Sequence, residues 1–92
     1  MVEYSGYVMK ALKKGDLPTR IFRTFNNAFQ SLDITKDLDL FDIKRLEGDY
    51  KKVYYRLRKG KYRGIFWKDD ENIYVEIIEK RDEVYNIWQQ KQ

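Results

Sequence analysis

Residues 50–68 constrain the fold of this chain more than any other stretch. From Tyr50 the side chains alternate: Val53, Tyr55 and Leu57 are separated by Lys52, Tyr54, Arg56 and Arg58. Successive side chains of a strand point to opposite faces, so a period of two marks a half-buried strand. Lys59-Gly60 then reads as a two-residue connection, and the alternation resumes beyond it. Runs joined in this way close as a tight β-hairpin. Pairing across that turn sets Arg58 opposite Lys61, Leu57 opposite Tyr62, Arg56 opposite Arg63 and Val53 opposite Phe66. Asp69-Asp70-Glu71-Asn72 is the next turn, and Ile73, Val75 and Ile77 alternate with Tyr74, Glu76 and Ile78 in a third strand. One side of the sheet is then Val53, Leu57, Tyr62, Phe66, Val75 and Ile77, and it needs a cover.

The first third of the chain supplies one. Val2 to Tyr4 opens as a short strand. Ser5 is placed as the N-cap of a helix reaching Lys14, with Val8, Ala11 and Leu12 at i, i+3 and i+4. Gly15 ends it by taking positive φ. Asp16 offers a side-chain acceptor, and Pro18 suits the first turn of a second helix. There Ile21, Phe25, Ala28 and Leu32 form an apolar stripe that Phe22 and Phe29 widen. The two helices make an antiparallel hairpin, each with one face to bury. Residues 33–42 show neither period and read as a solvated acidic loop anchored by Leu40 and Ile43. The spacing of its aspartates fits no calcium-loop motif, and Gly48-Asp49 marks a turn. After the third strand, residues 81–90 read as a short helix with Arg81, Tyr85 and Trp88 on one face. The expectation is one α+β domain over residues 1–92. A two-helix hairpin packs on a small, mostly antiparallel sheet of about three to four strands, with a short C-terminal helix.

Charge singles out the other side of the hairpin. Residues 51–68 hold eight Lys or Arg and no acid, although the whole chain carries only +4. The expected register puts Arg56 against Arg63 and Arg58 against Lys61, and like charges directly opposite cost roughly 0.2–1 kcal/mol per pair. A phosphate chain over that face cancels the repulsion, and Arg grips phosphate with two parallel hydrogen bonds. Tyr54, Tyr74 and Trp67 on the same side offer stacking surfaces for bases. The competing reading is a solvated basic ribbon that discourages edge aggregation.

Composition narrows the chemistry. The chain has no His and no Cys, which removes the usual general base, thiolate sites and disulfides. No apolar run approaches ~18 residues, and the N-terminus lacks a charged region followed by an apolar one. A soluble cytoplasmic protein without a membrane partner is expected. Its sequence pI of about 9.2 favours an acidic partner.

The hairpin Tyr-Arg-Leu-Arg-Lys-Gly-Lys-Tyr-Arg-Gly-Ile-Phe (residues 55–66) and Lys-Arg-Asp-Glu-Val-Tyr (residues 80–85) resemble the RelE/ParE toxin superfamily. Leu46-Glu47-Gly48 is similar to a family L-x-G before the first of these strands. The likeness covers about residues 44–85. It implies a RelE-like fold and a toxin of a type II toxin–antitoxin system, neutralised by a cognate antitoxin. RelE-like members cut mRNA in the ribosomal A site, whereas ParE-like members inhibit DNA gyrase. The alternative of a non-nuclease gyrase inhibitor therefore stands beside the nuclease. By resemblance, Arg63 takes the place of the arginine that stabilises the transition state. Arg56 falls on a family cation, and Arg81 and Tyr85 on the terminal Arg and Tyr of the site. Two positions depart from the pattern: Tyr54 stands where one RelE branch has a lysine, and Glu79 lies near a second cation of some members.

The chemistry implied is attack of a ribose 2′-OH on the adjacent phosphorus, leaving a 2′,3′-cyclic phosphate without a metal or other cofactor. Arg63 and Arg56 stabilise the phosphate, Tyr85 serves as base and Arg81 as stabiliser or acid. Tyr85, with an ordinary pKa near ~10, is expected to be favoured as phenolate by the arginines. Lys52, Tyr54, Arg58, Lys59 and Lys61 are expected to hold RNA, and the ribosome supplies the in-line geometry.

Overall fold

The computed structural model describes residues 1–91. Five strands form one sheet in the order β1-β5-β4-β3-β2. They are β1 (Val2–Tyr4), β2 (Ile43–Arg45), β3 (Tyr55–Lys59), β4 (Tyr62–Lys68) and β5 (Ile73–Lys80). Helices α1 (Gly6–Lys14) and α2 (Thr19–Thr35) lead into the sheet, and α3 (Val84–Lys91) follows it. The α+β class, the helix pair and the hairpin are as expected. The sheet is larger than expected: β2 was not anticipated, and β1 runs parallel to β5 while the other pairs are antiparallel. Among the described residues no helix is long and apolar enough to cross a membrane.

Local chemistry sets the helix ends. Ser5 Oγ accepts from Val8 N at 3.2 Å and donates to Glu76 O at 2.6 Å, so one hydroxyl caps α1 and ties it to β5. Gly15 closes α1 at φ 85°, and its N–H donates to Leu12 O. The stripe on α2 packs as read: Phe25, Ala28, Phe29 and Leu32 are buried, with Ile21 and Phe22 partly so. The helix runs on to Thr35, three residues into the expected loop. Ile43 packs on the core as expected, but Leu40 is exposed, and Leu38 and Phe41 pack there in its place.

The hairpin differs from expectation by one step of its turn. Gly60 and Lys61 make the connection, with Gly60 at φ 57°, so that Lys59 pairs with Tyr62. A Gly-x turn needs positive φ at its first central position, which Lys59 meets poorly. Sliding the turn by one residue moves each pairing by two along the ladder and leaves every side chain on its face. Arg58 therefore opposes Arg63, Arg56 opposes Ile65, and Leu57 opposes Gly64. Regular pairing begins at Tyr55, not Tyr50, and Val53 is exposed rather than in the core. Between β4 and β5 the register shifts at Ile65/Phe66, which leaves Glu76 without a partner in the ladder. That extra residue reverses the face of everything beyond it. Val75 and Ile78 join the core under α1 and α2, while Ile77 turns to the other side, the opposite of the simple alternation.

The sheet is thus covered on both faces. On one, Phe29 meets Phe66 edge-on at 5.2 Å and the rings of Phe25 and Phe29 sit over Gly64. On the other, α3 lays Val84 and Trp88 over Tyr54, Ile65 and Ile77. A Cβ at Gly64 would lie 3.0 Å from Phe25 Cε1 and 3.5 Å from Phe29 Cζ. Gly64→Val therefore forces these rings off the sheet and should cost about 1–3 kcal/mol in denaturant unfolding. An unchanged midpoint contradicts this packing.

Candidate active site

Arg63 is the one buried charged side chain among the described residues, at 8% exposure. It lies across from Arg58 on β3 and from Glu79 on β5. Its guanidinium curls back onto the turn, where Nη1 donates to Gly60 O at 2.8 Å and to Tyr62 O at 2.9 Å. That uses two of the five N–H groups of an arginine, and the other three meet no acceptor among the described residues. Burial holds its pKa below the usual arginine value. The charges of Arg56, Arg58 and Arg81 push the same way, and the Tyr85 phenol opposes them. Of the expected catalytic set, Arg56, Arg81 and Tyr85 thus each bear on the charge of Arg63.

Each arrives from a different element. Arg56 and Arg58 are i, i+2 on β3 and share its α3-side face. Arg81 is brought in by the main chain: its N–H donates to Lys61 O at 2.9 Å, which fastens the start of the C-terminal segment to the hairpin turn. Its side chain reaches only its neighbour Asp82, at 3.6 Å, and stays exposed. The helix begins at Val84, three residues later than expected, so Arg81 precedes it and Val84, not Arg81, shares the buried face with Trp88. Val84 and Trp88 face the sheet, and Tyr85 turns outward at 41% exposure.

The wider RNA-binding set divides. Arg58 and Lys61 are exposed at the hairpin end, beside Arg63. Lys59 belongs to the other face: its Nζ lies 5.0 Å from the centre of the Phe41 ring, beside α2. The alternation that puts Arg58 on one side excludes Lys59 from it. Tyr54 is 9% exposed, packed edge-on against Trp88 at 4.6 Å and Tyr50 at 5.6 Å, so it offers no free stacking face. Trp67 is likewise occupied, stacked on Tyr74 at 4.0 Å and capped by Lys52 Nζ at 3.8 Å. Tyr54 and Lys52 line a cleft of about 530 Å³ on this face, with Tyr50, Trp88 and Lys91.

Two acids adjoin the arginines. Glu79 faces Arg63, yet its Oε2 accepts from Tyr7 Oη at 2.7 Å. Burial, then this bond and the charge of Glu79, push the Tyr7 hydroxyl up to about 12. Asp42, placed by sequence in a solvated loop, bridges Arg56 and Arg58. No local spacing signals that contact, because it depends on the unanticipated β2. An acid just ahead of a strand that pairs with Arg-x-Arg is the only hint.

No protein-family model and no curated protein matches the chain in sequence. Solved structures match it over nearly its whole length. The archaeal RelE–RelB complex from Pyrococcus horikoshii OT3 includes a chain 30% identical. The match covers 87% of this chain and 92% of that one at TM-score 0.67. In the RelB–RelE antitoxin–toxin complex from Methanococcus jannaschii the identity is 23%, with 94% and 98% covered and a TM-score of 0.71. The E. coli DinJ–YafQ complex shares the fold at 17% identity, 92% and 97% coverage and TM-score 0.67. The chain belongs to the RelE-like toxins.

The face assignment makes a simple contrast testable. Arg58→Ala should weaken binding of a single-stranded oligoribonucleotide and lower the slope of log affinity against log salt by about one. Lys59→Ala should leave both unchanged. Equal losses in fluorescence-anisotropy titrations contradict the division of the two faces.

Proposed function

We propose that this single domain of residues 1–92 is the toxin of a type II toxin–antitoxin pair and a ribosome-dependent mRNA endoribonuclease. Its partners are then a cognate antitoxin, the ribosome and messenger RNA, in the cytoplasm. The observation that carries the reading is the buried Arg63 guanidinium, which has three free N–H groups, faces Arg58 across the ladder and feels the charges of Arg56 and Arg81 and the Tyr85 phenol. A protein gains no stability from gathering four arginines in this way. An anion among them relieves the repulsion, and a phosphate that gains charge during reaction relieves it more.

In the proposed reaction Tyr85 acts as the base and takes the proton of the 2′-OH. The 2′ oxygen attacks phosphorus, and Arg63 with Arg56 stabilises the pentavalent phosphate. The bond from phosphorus to the 5′ oxygen breaks, leaving a 2′,3′-cyclic phosphate upstream. The 5′ oxygen takes up a proton, from Arg81 or from water while Arg81 steadies its charge. None of these roles requires a cofactor. Positioned proton transfer contributes typically 10²–10⁴-fold, so in-line placement of the mRNA has to come from the ribosome. Solved relatives seen with RelB and with DinJ support an antitoxin partner for this chain too.

Primer extension on ribosome-held mRNA tests the assignment. Cuts should appear with the wild type, and Arg63→Ala and Tyr85→Phe should each slow them by roughly 10²–10³-fold. Wild-type cleavage by both variants sinks the site. Intact mRNA together with DNA-supercoiling defects points instead to gyrase inhibition.

A further inference from the structure

Asp42 lies outside the residues assigned to the reaction, yet it touches two of the arginines. Its main chain is fixed by β3, since its carbonyl oxygen accepts from Arg58 N at 3.0 Å. Its carboxylate then divides between two guanidiniums. Arg56 Nη2 donates to Oδ1 at 2.9 Å, and Arg58 Nε forms an ion pair with Oδ2 at 3.0 Å. The Arg56 side chain is only 13% exposed and its Nε is buried with no partner, whereas the Arg58 side chain is 56% exposed. Without the carboxylate, Arg56 loses its counter-charge and Arg58 is free to swing into water. Arg58 is the residue that faces Arg63.

We propose that Asp42 is a positioning residue, which clamps Arg56 and Arg58 into a fixed pair beside Arg63 so that the cluster meets the reacting phosphate preformed. Asp42 does not itself touch the RNA. The proposal rests on the nuclease reading, and the clamp has a readout of its own. Charge sets the sign of the effect. Removing the carboxylate makes the face more positive, so ground-state binding of RNA holds or tightens, while the geometry that the transition state needs is lost. A purely structural residue would lose both. A carboxylate that merely competes with phosphate would raise both when removed.

The test compares the wild type with Asp42→Asn and Asp42→Glu. The first readout is the 15N relaxation of the arginine Nε–H groups, followed by NMR on the free protein. The Arg58 Nε should be held rigid in the wild type and become mobile in Asp42→Asn. The second pairs affinity for an oligoribonucleotide carrying 2′-deoxyribose at the cut site with single-turnover cleavage of ribosome-held mRNA. Asp42→Asn should slow cleavage roughly 10–100-fold with affinity unchanged or tighter, and Asp42→Glu should restore part of the rate. An Arg58 Nε that is equally mobile in both proteins overturns the clamp. So does a parallel loss of binding and rate, or a faster Asp42→Asn. Wild-type protein that leaves the mRNA intact but keeps the rigid Arg58 Nε contradicts the nuclease reading and not the clamp.

Discussion

Strand β4 has to be buried on both sides, and the rest of the molecule is arranged to satisfy it. Gly64 and Phe66 need the aromatic face of α2, and Ile65 needs a cover of its own on the opposite side. Fully burying an Ile or Phe side chain contributes about 1.5–3 kcal/mol, which is large against the roughly 5–15 kcal/mol that holds a small domain together. Helix α3 is that second cover. Docking Val84 and Trp88 on Ile65 and Ile77 determines where the residues between and before them go. Tyr85, one position round from Val84, is turned outward, and Arg81 is drawn to the hairpin turn by its bond to Lys61 O. Arg63 precedes Ile65 by two residues on the same face. The candidate site is assembled by the packing of its neighbours.

Electrostatics works against this packing at the hairpin end. Arg58 and Arg63 stand directly opposite in the ladder, and Arg56 adjoins them. The acid best placed by register to offset Arg63, Glu79, is engaged by the Tyr7 hydroxyl. Asp42 compensates Arg56 and Arg58 but does not reach Arg63, whose Nη1 is held by two carbonyl oxygens. The surplus positive charge is therefore concentrated on the least exposed arginine. A solvated ribbon would spread its cations outward. This one turns a guanidinium inward and leaves its remaining N–H groups for an acceptor from elsewhere.

Much of this was legible in the sequence because the signals were local. The Ser5 cap, the Gly15 stop and the α2 stripe each depend on a few adjacent residues and form as read, and the period of two forms from Tyr55 onward. The misreadings involve long-range competition. Strand β2 is three residues long and exists because β3 offers it an edge. The β5 bulge arises where Ser5 binds the Glu76 carbonyl, 71 residues away, and reverses the faces of Ile77 and Ile78. The hairpin register turned on which of two adjacent residues could take positive φ. Since the error preserved face parity, Arg56, Arg58 and Arg63 were still gathered on one side. The aromatic residues fared worse, because burial of Tyr54 and stacking of Trp67 depend on Trp88, Tyr74 and Lys52, which sequence spacing does not bring together.

The central claim is that the arginine cluster and Tyr85 drive attack by a 2′-OH on phosphorus. The chemical form of the upstream fragment tests it most directly. Mass spectrometry of mRNA fragments released from purified ribosomes incubated with the protein should find a 2′,3′-cyclic phosphate at the new 3′ end. mRNA carrying 2′-deoxyribose at the cut position should stay intact. Fragments that end in a free 3′-hydroxyl, or efficient cleavage of the 2′-deoxy substrate, contradict the account.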